Sequence, residues 1–475
     1  MNIRTLLLLM VAMALAACEP RDPGETRVAV IEGGPQAAAI VEGATARGLV
    51  AFDARGQIQP ALAESWHVSD DGRSYIFRLA RGEWSDGSTI TAQQVARALQ
   101  QQLRGRPLGD ALGGIDEVVA MTDRVIEIRL VAARPHLLDL LANPALAVRM
   151  GDMGSGPFQP DEEELAEHDD DALHFRRDIV DRFGERSGSE RVHLHLGPAS
   201  EAIASFVSGH VELVLGGDFA SLPLVREAAV PRGTLRYDPV IGLFGLVPLT
   251  SRGPLGDPEV RAILSQAIDR GALIEELGVP SLAPRATLLQ DGLDLPRVPS
   301  QPDFLSDPAS AREDAVSAWN ARGNDNEPVV LAVALPEGPG GDILFARLRE
   351  DWGALGIDVQ RTDRDAADFA LLDLVAPSPS AAWFLRQFSC SRVRICSEEL
   401  DTLVDAARTA PLIEQRRAIL ADAGARMDEA ALFIPLAAPI RWSLVGQQVS
   451  GFSENRYAIH PLAGLKAPLP PETTR

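Results

Sequence analysis

Few residues in this chain have the types and spacing that chemistry requires. His193 and His195 alternate within Arg191 to Leu196, a stretch that reads as a strand, so both imidazoles fall on one face. Two such ligands could begin a metal site, but a closed site needs about four and no third partner stands nearby in the sequence. The expectation is no metal. Asp161 to Asp171 gathers Glu162, Glu163, Glu164, Glu167, Asp169 and Asp170. A calcium loop alternates its oxygens around a glycine turn, which is missing here, so the run reads as a solvated loop. The chain contains no Gly-x-Ser-x-Gly, no His-Glu-x-x-His and no phosphate loop. Its only lysine is Lys466, which leaves Schiff-base chemistry one candidate close to the C-terminus. The residues point away from an enzyme and toward no cofactor.

The three cysteines carry more information. Met1-Asn2-Ile3-Arg4 supplies one side-chain positive charge, and Leu6 to Leu15 is a compact apolar run, followed by Ala16-Ala17-Cys18. The run is too short to span a bilayer but suits the core of a signal peptide. Small residues ahead of the cysteine suit a signal peptidase, and Leu15-Ala16-Ala17-Cys18 resembles a bacterial lipobox. On this reading residues 1–17 are a signal peptide and Cys18 is the first mature residue, lipidated on its sulfur. More than one acyl chain then anchors it stably, as a single chain would not. The alternative is a plain secretory signal with an incidental cysteine. Glu19 is not the aspartate associated with inner-membrane retention. Cys390 and Cys396 remain, and in an oxidising compartment they can pair. Closing so small a loop stabilises by about 2 kcal/mol on chain entropy. The alternative is two buried free thiols.

The elements that would position a site are those of an α/β protein. At 475 residues the chain is too long for one ordinary core, so two or three domains are expected. A net charge of −22 repels phosphate backbones, which excludes nucleic acid as a partner. Arg27 to Glu32 reads as a strand broken by Gly33-Gly34-Pro35. Leu62 to Ala80 reads as a hairpin turning at Ser69-Asp70-Asp71-Gly72, and Asp116 to Leu130 as another. Between them, Thr91 caps a helix over Thr91 to Leu103. Val329 to Leu335, Asp342 to Leu355 and Gly356 to Val359 form a β-α-β pattern, with Phe369 to Leu372 a further strand. Leu400 to Arg408 and Leu412 to Glu429 are amphipathic helices, and Phe433 to Leu436 and Trp442 to Val445 are short strands.

One stretch is specific. Ala61-Leu62-Ala63-Glu64-Ser65-Trp66, Asp70 to Leu79 (Asp-Asp-Gly-Arg-Ser-Tyr-Ile-Phe-Arg-Leu), Arg81 to Ser88 (Arg-Gly-Glu-Trp-Ser-Asp-Gly-Ser) and Thr91 to Val95 follow in order. Read together, they resemble the family 5 extracellular solute-binding proteins of ABC importers, the peptide and nickel type. Gly154 to Phe158, Asp257 to Arg261, Ala267 to Arg270 and Ile434 to Leu436 are similar to later family segments in the family's order. In these motifs Trp66, Tyr75, Phe77 and Trp84 are read as core packing, and Asp71-Gly72 and Asp86-Gly87 as turn chemistry.

The resemblance implies a two-lobed periplasmic-binding-protein-like fold, type II, of the large peptide-binder class with an extra domain. It divides the chain into 18–48, 158–244 and 435–475 for lobe I, 49–157 for the extra domain and 245–434 for lobe II. The crossings are expected near Phe244 to Pro254 and Phe433 to Pro439. It further implies a monomer held in the periplasm by its lipid, which closes on a peptide-like or other small solute and delivers it to an ABC permease complex. An importer-independent sensor or periplasmic chaperone, and a nickel-chelate or haem binder, are the alternatives on the same fold.

Peptide-binding relatives carry an Asp-Pro-Asp segment shortly before a Phe-Ser-Cys stretch, and one aspartate pairs with the ligand's amino terminus. Phe388-Ser389-Cys390 is present, but Pro379, Ser380 and Ala381 stand where the acidic segment should be. A charged amino terminus closed into a cleft without a counter-ion costs several kcal/mol. Glu32 is a candidate substitute acid, Trp383 and Phe384 are candidate contacts, Trp383 by stacking, and Arg386 is placed to pair with a carboxylate. Ordinary packing or surface is the alternative for all four.

Overall fold

A computed structural model describes residues 24–33, 35–105, 108–161, 172–180, 185–322 and 329–466. Cys18, the acids from Glu162 to Asp171 and the tail after Lys466 lie outside the described residues.

Strand Glu25–Ile31 is buried without alternation from Val28 to Ile31. A strand reads this way only when both faces are covered. It occupies the middle of a seven-stranded sheet ordered Leu235–Tyr237, Arg441–Val445, Leu213–Asp218, Glu25–Ile31, Arg186–Gly197, Leu173–Val180, Gln159–Pro160. Its pairings with Arg186–Gly197 and Leu213–Asp218 are parallel, and the outer pairings are antiparallel. Ala29 and Ile31 pack with Ala202, Ile203 and Phe206 of helix Ala199–Val207. Val28 and Val30 pack on the other face with Ile40 and Ala44 of helix Pro35–Thr45. This sheet is the frame of the first lobe.

The second lobe is built on a five-stranded sheet ordered Ile357–Arg361, Val329–Ala334, Phe369–Val375, Gly242–Pro248, Ile434–Ala437. The first three strands run parallel and Gly242–Pro248 runs antiparallel to both its neighbours. The β-α-β unit is Val329–Ala334, Pro339–Gly353 and Ile357–Arg361. The helix starts ahead of the expected Asp342 because Pro339 is accepted in its first turn, where no N–H partner is needed.

The extra domain carries a four-stranded antiparallel sheet ordered Ala63–Val68, Ser74–Leu79, Val125–Leu130, Ile115–Thr122. Helix Ala92–Gly105 lays Val95, Ala96 and Leu99 against Phe77, Leu79, Ile126 and Ile128. Its start is a reciprocal box: Gln94 N–H donates to Thr91 Oγ1 at 3.4 Å, and Thr91 N–H donates to Gln94 Oε1 at 2.9 Å. Tyr75, Phe77 and Trp84 are buried in this core, and Tyr457 reaches back from the C-terminal segment to stack on Phe52, centroids 4.3 Å apart.

The first crossing falls a few residues ahead of the expected Phe244 to Pro254, and the second overlaps the expected Phe433 to Pro439. Gly242 to Phe244 and Pro435 to Ala437 pair within the five-stranded sheet, so the chain passes between the sheets over residues 238–241 and 438–440. The two passages touch, since Asp238 N–H donates to Arg441 O at 3.0 Å. Each passage contains a proline, Pro239 in the first and Pro439 in the second, which cannot donate to a ladder and so ends a strand.

Candidate functional site

Two charged residues sit inside otherwise apolar stretches, one in each sheet. Asp373 is the charged member of the strand sequence Phe-Ala-Leu-Leu-Asp-Leu-Val, and Arg441 follows Pro439-Ile440 at the start of Arg441–Val445. The fold brings them together across the junction of the lobes. Arg441 Nη1 donates to both carboxylate oxygens of Asp373 at 3.0 Å and to Ile440 O at 2.8 Å. The two side chains are 5% and 16% exposed. Burial pushes the Asp373 carboxyl above the usual carboxylate range and the neighbouring Asp218 adds to it, while Arg441 opposes both. Arg441 Nε is buried with no partner among the described residues.

Asp373 and Arg441 line a cleft of about 650 Å³, within the roughly 300–1,000 Å³ of ordinary small-molecule sites. The first lobe contributes Gln36 and Glu42 from helix Pro35–Thr45, the extra domain Asn143, and the C-terminal segment Tyr457. The second lobe contributes the end of strand Phe369–Val375, then Trp383 and Gln387. The wall is therefore shared by three bodies, and polar groups converge on an apolar interior.

The four residues singled out from sequence do not meet in this cleft. Trp383 lies in its wall, almost wholly buried, on helix Ala381–Arg386. Arg386 lines a smaller chamber next to it, with Nη2 3.8 Å from Asp405 Oδ1. Phe384 has no exposed surface; it belongs to the second lobe's core and meets Trp383 edge-on at 5.0 Å. One residue step turns a helix by about 100°, so Phe384 points fully into the core while Trp383, packed on the same core, reaches its edge at the cleft. Glu32 is exposed at the end of its strand, its N–H donating to Gly197 O at 2.9 Å, and it is not among the residues lining the cleft.

The helix that begins at Ala381, where the acidic segment is missing, is held at its start by an acid from elsewhere in the chain. Asp294 Oδ1 accepts the Ala381 N–H at 2.6 Å, and Asp294 Oδ2 pairs with Arg416. Arg416 also donates to Ser380 Oγ at 3.2 Å. Asp294 is thereby committed to the helix start and to a cation. Sequence reasoning missed Asp294, Asp373 and Arg441. Charges in buried strands were the available signal for the last two.

Cys390 and Cys396 are disulfide-bonded, Cα atoms 5.1 Å apart, and Cys390 N–H donates to Asp401 Oδ2 at 2.9 Å. The bridge pins the loop that follows the Trp383 helix. His193 meets His174 edge-on at 4.6 Å, and among the described residues no group of three or more His, Cys, Asp or Glu is placed to hold a metal ion. No helix among them is long and apolar enough to cross a membrane.

Two lobes on separate sheets, joined by adjacent crossings and enclosing a cleft, define a binding protein of the two-lobed periplasmic class. Residues 57–388 match the model of the bacterial extracellular solute-binding proteins, family 5 middle region, and the chain belongs to that family. It is a solute-binding protein of the kind that serves ABC importers. It is 23% identical to a probable di/tripeptide-binding protein 5 of Pseudomonas aeruginosa, covering 86% of this chain and 87% of that one. It is 20% identical to heme-binding protein A of Haemophilus influenzae, over 86% and 84%. The structure of Burkholderia pseudomallei OppA superposes with a TM-score of 0.75 at 17% identity, over 93% of this chain and 98% of that one.

Proposed function

We propose that this protein captures a peptide-like solute in the cleft between its lobes and presents the closed, loaded form to its permease. The observation that carries the reading is the Asp373–Arg441 pair, one partner from each sheet, on a shared cleft wall with Trp383. Arg441 Nε offers a desolvated donor to a ligand carbonyl or carboxylate, and Asp373 offers the acid that an ammonium group needs. A solute meeting both, with Trp383 stacked on it, touches both lobes at once and so binds the closed form better than the open one. Phe384 and Glu32 have no part in this contact.

The protein acts as a monomer in the periplasm, with 1–17 removed and Cys18 lipidated. The fixed halves are the two sheets, and the hinge is the pair of crossings at 238–241 and 438–440. A likeness to a di/tripeptide-binding relative supports the peptide-like class. Native mass spectrometry of protein purified without refolding tests it directly: a retained small solute in the peptide mass range is expected. Flat calorimetry against a broad pool of di- and tripeptides, together with an empty native spectrum, would refute it.

A further inference from the structure

Behind Trp383 lies a second cavity of about 50 Å³, between the extra domain and the second lobe, and Trp383 lines both spaces. Arg134 comes from the extra domain; Arg386, Arg408 and Arg416 come from the second lobe. Among the described residues Asp294 is the only acid lining the chamber, and it is already bound to Arg416 and to the Ala381 N–H. Arg386 and Arg408 each stand 3.8 Å from the same Asp405 Oδ1, on a side chain that is 64% exposed. A pair that open to water contributes little.

Arg134 has no carboxylate partner among the described residues. Its Nη2 donates to Arg408 O at 2.9 Å and its Nη1 to Ala133 O at 3.4 Å, both backbone carbonyls. Burial, and then the charges of Arg416, Arg386 and Arg408, push its guanidinium down to about 10, with the Asp294 carboxylate pulling the other way. The chain has 67 acids against 45 lysines and arginines, yet among the described residues none makes a hydrogen bond or ion pair with this cation. A half-buried cation beside like charges is unfavourable until an anion joins it.

We propose that the chamber receives a carboxylate of the solute held in the cleft, with Arg134 as its counter-ion, so that the solute class is anionic at the end that passes Trp383. The inference rests on the cleft being the ligand site. Size agrees with it: a water occupies roughly 10–15 Å³ of such volume, so the chamber holds a group of a few heavy atoms, as a carboxylate is. A guanidinium fork matches that group in geometry. Because Arg134 and the other three arginines belong to different bodies, the bound carboxylate also ties the extra domain to the second lobe.

Calorimetry on the intact folded protein tests this with three probes: a tripeptide pool with free C-terminal carboxylates, the same pool as C-terminal amides, and inorganic phosphate at constant ionic strength. Wild type is compared with Arg134→Gln and Arg134→Lys, each checked by thermal unfolding. The expectation is that free acids bind roughly 10- to 100-fold tighter than amides, as a charged hydrogen-bonded pair provides. Arg134→Gln erases that difference and Arg134→Lys restores part of it. Acids and amides binding equally well to wild type overturn the proposal and leave the solute-binding reading intact. Phosphate binding alone overturns it too, as a free anion site. Binding by none of the three removes the peptide-like reading of the cleft, and the carboxylate with it.

Discussion

Arg441 and Asp373 illustrate what a buried charge costs when its partner goes. Each is largely removed from water, and the pair spans the boundary between the lobes. Arg441→Ala leaves the Asp373 carboxylate among apolar neighbours, with only a raised affinity for protons to relieve it. The expected loss is roughly 3–5 kcal/mol, the range for breaking a buried pair on one side, read from urea midpoints. Replacing both, with Asp373→Leu and Arg441→Met, removes the uncompensated charge, and stability returns close to wild type while ligand affinity does not. If the single variant unfolds like wild type, the pair is solvated and cannot be the cleft's anchor. Neither role was readable from sequence beyond the oddity of a charge among apolar residues. The partners lie 68 residues apart in different sheets, and nothing local says which charge meets which. That Trp383 stands on the cleft wall was legible because its neighbours Phe388-Ser389-Cys390 fix the alignment. Phe384 was not, because the direction of a helix face is set by the core it packs on.

At the scale of elements, most of the architecture was legible where chemistry is local. The Thr91–Gln94 box, the turn at Asp71-Gly72 and the β-α-β run each have short-range causes and appear where the pattern places them. The first crossing came earlier than expected because the first sheet ends at Asp238-Pro239, ahead of the apolar run that reads as the passage, while the second came at Pro439, inside the expected stretch. Helix Pro339–Gly353 shows a second long-range effect. Its Asp351 is 4% exposed and accepts the N–H of Asp269, the residue that caps helix Arg270–Leu277. Burial raises the Asp351 carboxyl to about 6 from its ordinary 3.8, against the pull of that N–H and of Arg347. Its folded-state value lies above the unfolded one, so between about 4 and 6 the folded form holds more protons than the unfolded. Stability therefore falls as pH rises through that window and is level on either side of it. Asp351→Asn keeps an acceptor for the Asp269 N–H and removes the titration. Thermal midpoints of the variant, measured from pH 4 to pH 7, are expected to lose that downward slope relative to wild type. An unchanged slope would assign it to other groups.

For the whole molecule, the decisive quantity is where the cleft sits relative to a permease. The first described strand begins at Glu25, and Glu19 to Gly24 is six residues, a chain that reaches at most about 20 Å when fully extended. On the proposed reading, a lipid on Cys18 would hold the lobes close to the bilayer, at a high local concentration around any membrane-embedded partner. Cys18 precedes the first strand of either sheet in the chain, so its loss should separate delivery from capture. Cys18→Ser is expected to move the protein from the membrane fraction to the soluble periplasmic fraction and to abolish labelling by a radiolabelled fatty acid. Calorimetry on the released protein should return the wild-type affinity, while uptake of the same solute by intact cells falls. A wild-type protein that stays in the soluble periplasmic fraction and takes up no label would show that Leu15-Ala16-Ala17-Cys18 is only the end of a secretory signal, and Cys18→Ser would then change neither its fractionation nor its uptake.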